Sequence, residues 1–152
     1  MSLRERFNAA MKDAMKSGDK PRLSAVRLVN AAIKDRDIEA RGAGKGQATE
    51  DEIVGLLQRM IKQRHESAAM YEKGARPELA AQENAEIAVI SSFLPQQLGE
   101  SEVAAAIKEA IAATGAASLK DMGKVMAALK ERHAGEMDFS KVGPAVKAAL
   151  SG

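Results

Sequence analysis

Cysteine and tryptophan are missing from this chain, and only three phenylalanines and one tyrosine occur in it. Without cysteine there is no disulfide and no thiolate chemistry. With aromatics at 3%, there is no row of stacking platforms, which argues against sequence reading of single-stranded RNA. Histidine is as scarce: His65 and His133 stand alone, and His65-Glu66 lacks the second histidine of a zincin-like helix. No metal and no cofactor are expected. No apolar run approaches the ~18 residues that a membrane span needs. The start, MSLRERFNAA, is charged within a few residues, unlike a secretory signal. A cytoplasmic protein with no membrane partner is expected.

What is present is aliphatic. Apolar residues make up 45% of 152 residues, so the core must be Leu, Ile, Val, Met and Ala, which favours helix on helix. Periodicity agrees. Leu3, Phe7, Met11 and Met15 form a stripe over about residues 2–16, and Ser17-Gly18-Asp19 breaks it. Pro21 opens a second helix burying Val26, Val29, Ile33 and Ile38 as far as Ala40. The loop from Arg41 to Gln47 lacks the Gly-Lys-Ser/Thr order and the preceding strand of a Walker A loop, and reads as a hairpin connection. Thr49 and Glu52 make a capping box for a third helix whose inner stripe includes Ile53, Leu57, Met60 and Ala68, with Gly74 as its stop.

Pro77 starts a fourth helix, in which Ile87, Ile90 and Leu94 face inward until Pro95 ends it. Past this point the helices shorten. Ser101 is expected to cap one carrying Val103, Ile107 and Ile111, and Ser118 with Asp121 the next, carrying Val125 and Leu129. Asp138 leads the last, in which Gly143-Pro144 implies a kink or a later start. The expected fold is all-α: a helical hairpin or four-helix domain over residues 1–95, then a three-helix tail domain over 96–152.

Net charge is only +2, but it is uneven. Residues 1–76 carry 16 Lys/Arg against 11 Asp/Glu, and residues 77–152 carry 7 against 10. Arg27, Lys34 and Arg41 recur every seven residues on the second helix, interrupted by Asp35, Asp37 and Glu39. Arg59 and Lys62 lie on the exposed side of the third. Such rows can follow a phosphate backbone. Lys120 and Lys124, one turn apart, bracket Gly123. A helical glycine costs ~1 kcal/mol relative to alanine, to be offset by close helix packing or by close approach of a phosphate backbone. Glu83 and Glu86 are the best carboxylate pair, read as structural ion-pair partners for Arg64 and Arg76 rather than as acid and base. No catalytic residue is assigned.

Four stretches together resemble the YqeY family, which shares its architecture with the tail of the B subunit of the tRNA-dependent amidotransferase. They are Lys62-Gln63-Arg64-His65-Glu66-Ser67, Gly74-Ala75-Arg76-Pro77-Glu78-Leu79, Glu83 to Leu98 with its Phe-Leu-Pro turn, and Lys120-Asp121-Met122-Gly123-Lys124-Val125-Met126. One departure is Pro77-Glu78 before Leu79, where an aspartate beside the leucine is more usual. The resemblance implies a link to tRNA: a non-catalytic accessory that holds it by shape and charge. Its alternatives are an adaptor for an aminoacyl-tRNA synthetase or amidotransferase, or a carbon–nitrogen ligase with glutamine as amide donor. The amidotransferase's large catalytic core has no counterpart in this chain.

Overall fold

The computed structural model describes residues 1–151. Among them are seven helices, one short 3₁₀ turn and no strand, so the fold is all-α. The helices are α1 (Leu3–Ser17), α2 (Lys20–Gly42), α3 (Glu50–Lys73), α4 (Pro77–Ser91), α5 (Glu100–Thr114), α6 (Met122–Arg132) and α7 (Phe139–Ser151). By compactness the backbone divides into two units, Met1–Leu94 and Pro95–Gly152.

In the first unit, α3 and α4 form an antiparallel hairpin and α1 packs on α2. Phe7, Val26, Val29, Ile33, Ile53, Leu57 and Ile90 build its core, and all but Ile33 are at most 1% exposed. Two expected core positions lie outside: Met15 is 56% and Ile38 is 58% exposed. Ala10, Ala14 and Ala40 are buried instead, because the helices approach closely enough for alanine to fill the seam. The Thr49–Glu52 capping box is present, and Ser2 with Glu5 makes a second one at the start of α1.

The turn after α3 is a Schellman motif. Arg76 N–H donates to the Tyr71 carbonyl at 2.7 Å and Ala75 N–H to that of Glu72 at 3.2 Å. Its left-handed residue is Ala75, with φ 57°, and not Gly74, with φ −84°. Helix α4 ends at Ser91, before the proline; Phe93 N–H then donates to Ile90 and Leu94 N–H to Ser91 in a tightened last turn.

The second unit has its own core of Ala106, Ile107, Ala110, Val125, Leu129, Met137, Val142 and Val146. Helix α5 is capped two residues earlier than Ser101 implies: Gly99 is the N-cap and Glu102 accepts from its N–H at 3.3 Å. Helix α7 continues through Pro144 from a start set by Asp138, whose Oδ1 accepts from Ser140 N–H at 3.0 Å. The Leu98 N–H donates to the Glu136 carbonyl at 2.8 Å, tying the lead into α5 to the α6–α7 loop.

Candidate nucleic-acid interface

The 3₁₀ turn Leu119–Asp121 runs directly into α6. Val125 and Leu129, both 0% exposed, fix which side of α6 faces the core. Met122, one turn before Val125, shares that inward side, whereas Lys120, Gly123 and Lys124 lie off it and are all exposed. Neither lysine has a hydrogen bond or ion pair with any described residue. A Cβ built on Gly123 meets nothing within 4 Å. Close packing within this chain thus gives no reason for the glycine.

The acid between the lysines is engaged by the turn before it. Asp121 Oδ2 accepts from Ala117 N–H at 3.0 Å. That bond first, then the Ser118 amide and the Lys124 charge, hold its carboxyl below the usual range against the opposing effect of burial. Two exposed cations therefore flank a bare stretch of helix surface whose one nearby carboxylate is occupied by the preceding turn.

On α2, Arg27 and Lys34 are exposed and have no partner among the described residues, and Arg41 is exposed at the helix end. Two of the three interrupting acids are engaged. Asp37 takes a two-pronged bond from Arg4 at 2.7 and 2.9 Å, and Glu39 pairs with Arg36 at 2.7 Å. Among the described residues, Asp35 alone of the three has no such partner. On α3, Arg59 and Lys62 are exposed and unpaired among the described residues, with exposed Glu66 on the same side. Gly55, one turn before Arg59, is also open, since a Cβ there meets nothing within 4 Å.

Of the four residues read as ion-pair partners, the structure brings two together. Arg64 Nε lies 3.0 Å from Glu86 Oε2, each side chain 15% exposed, and Arg64 also donates to the Met60 carbonyl. Glu83 and Arg76 have no side-chain partner among the described residues. His65 is exposed; His133 Nδ1 lies 3.1 Å from Glu136 Oε1. No group of three or more His, Asp or Glu among the described residues is placed to hold a metal ion. No helix among them is long and apolar enough to cross a membrane.

Two cations stand out that no local pattern signals. The guanidinium carbons of Arg6 and Arg22 lie 5.3 and 5.4 Å from the centroid of the Phe93 ring, which stacks on Phe7 at 4.0 Å. The partners are more than seventy positions apart in the chain, beyond the reach of any spacing rule.

A family model described as "Yqey-like protein" matches residues 4–150. Two fungal proteins, each named "Altered inheritance of mitochondria protein 41, mitochondrial", are similar to this chain. The one from Pyrenophora tritici-repentis is 30% identical over 132 residues, covering 84% of this chain and 71% of the relative. The one from Vanderwaltozyma polyspora is 29% identical over 84 residues, covering 55% of this chain and 44% of the relative.

Proposed function

This chain belongs to the YqeY family, and from that premise we propose that it is a non-catalytic accessory protein that holds tRNA by shape and charge. The observation that carries the reading is the open Gly123 between two exposed, unpaired lysines at the start of α6. A glycine there lets a phosphate backbone approach the helix, and Lys120 and Lys124 supply the counter-charge. Arg27 and Lys34 on α2 and Arg59 and Lys62 on α3 add further backbone contacts. In this reading the protein works in the cytoplasm, whereas its fungal relatives are mitochondrial by name.

Binding of an unfractionated tRNA pool across a salt series tests this. Affinity should fall steeply with salt, and Lys120→Ala and Lys124→Ala should each flatten the log–log slope by about one. Gly123→Ala should weaken binding while raising helix stability by up to about 1 kcal/mol, since its methyl group meets no neighbour. Undetectable or salt-independent binding rejects the reading.

A second reading has one observation of its own. In the second unit a groove of about 670 Å³ opens between α5 and α7, lined by Leu98, Val103, Ile107, Met137, Val142 and Ala145 among others. A groove of that kind suits the apolar face of a partner's helix, as an adaptor for a synthetase or amidotransferase would require. Co-purification that survives nuclease treatment favours it over the first. Amide transfer by Glu83 or Glu86 has less support, because Glu86 is already engaged by Arg64. A glutaminase assay with Glu83→Gln as control decides that point.

A further inference from the structure

Arg6 and Arg22 differ from every other cation of the first unit in how they are held. Arg4, Arg36 and Arg64 spend their charge on carboxylates. Among the described residues, Arg27, Arg59 and Arg76 have neither an acid within ion-pair distance nor an aromatic ring beneath them, and Arg41 acts only at longer range, on Asp37. Arg6 and Arg22 alone have no carboxylate within ion-pair distance among the described residues and yet are both fixed on one ring. Arg6 comes from α1 and also donates Nη1–H to the Phe93 carbonyl at 3.1 Å. Arg22 comes from the first turn of α2. The ring itself is held by its surroundings: Phe93 is 6% exposed and stacked on fully buried Phe7.

The geometry points to a phosphate-binding clamp formed by Arg6 and Arg22 at the end of α4, a site separate from the α6 surface. It takes its ligand, a backbone phosphate of RNA, from the reading above and rests on it. Two guanidinium carbons bound to one ring can lie no farther apart than the sum of their distances to its centre. Arg22 has all five N–H donors uncommitted and Arg6 has four, so forked donation to phosphate oxygens is open to both. The ring orders them before any ligand arrives, so less side-chain freedom is lost on binding than at an unrestrained surface arginine.

Arg22 is the cleaner probe, because Arg6 also holds a backbone carbonyl. In the tRNA salt series, Arg22→Ala should lower the slope by about one and the affinity roughly eightfold at ~0.1 M salt, the amount a slope of ~0.9 per phosphate implies. Arg22→Lys should restore the slope but only part of the affinity, since an ammonium has no fork. If Arg22→Ala binds like the wild type while Lys120→Ala and Lys124→Ala weaken binding, the clamp is wrong and the tRNA reading survives. If the wild-type protein binds no tRNA, that reading fails, and titration with inorganic phosphate decides the clamp separately. The Nε–Hε resonances of Arg6 and Arg22 should then shift ahead of those of Arg27, Arg41, Arg59 and Arg76. A uniform response, or none, overturns it.

Discussion

Asp37 accepts hydrogen bonds from two directions at once: two from Arg4, 33 residues earlier, and one at 2.9 Å from Ala48 N–H, 11 residues later. Arg4 completes the circuit by donating to the Ala48 carbonyl at 3.2 Å. One carboxylate thus fastens α1, α2 and the residue before the α3 cap. The Arg4 fork, helped by the Ala48 amide, holds its pKa below the ordinary 3.8, against the desolvation that would raise it. A depressed carboxylate stabilises the fold fully above the unfolded-state value and ceases to do so as pH falls through the folded one. Asp37→Asn should therefore cost about 2 kcal/mol near neutral pH, by loss of charge-assisted bonds, and the deficit should shrink below about pH 4. Urea titrations of both proteins from pH 7 to 3 measure it. A deficit that does not change with pH would mean that the charge contributes nothing.

At the scale of elements, the end of α3 carries an avoidable strain. Ala75 occupies the left-handed position of the Schellman turn, where a Cβ crowds the following carbonyl. Glycine has no such contact, so Ala75→Gly should stabilise the protein by about 0.5–1 kcal/mol once its extra unfolded-state freedom is counted. Thermal melts read this directly, and an unchanged or lowered midpoint would show that the turn tolerates alanine at no cost. The same turn marks what the sequence can and cannot reveal. Thr49, Glu52 and Pro77 act through neighbours three or four positions away, and their helix starts were legible. Gly74 was legible as a stop, but which residue adopts the left-handed backbone is set by where the last helical bond closes. Ile38 reads as core by its apolar side chain and is exposed, because a step of five residues from Ile33 carries it round to the outer side of α2, while the seven-residue step to Ala40 returns to the inward face. The lysines of α6 were visible as a spacing; that nothing packs over Gly123, and that Phe93 holds two arginines, depends on tertiary placement alone.

At the scale of the molecule, the buried residues fall into two sets with no member in common, one drawn from α1–α4 with Ala48 and Phe93, the other from α5–α7 and the loop before α7. Cooperativity follows shared burial, so each set should open on its own. Leu129 is 0% exposed at the centre of the second set, and Leu129→Ala should cost about 2–5 kcal/mol by removing methyl groups and leaving a cavity. The cost should be local. In hydrogen exchange, amides of α5, α6 and α7 should lose protection by the amount of that destabilisation, while those of α2, α3 and α4 keep wild-type rates. Leu57→Ala, in the first set, should do the reverse. If either substitution lowers protection throughout both sets, the chain unfolds as one body.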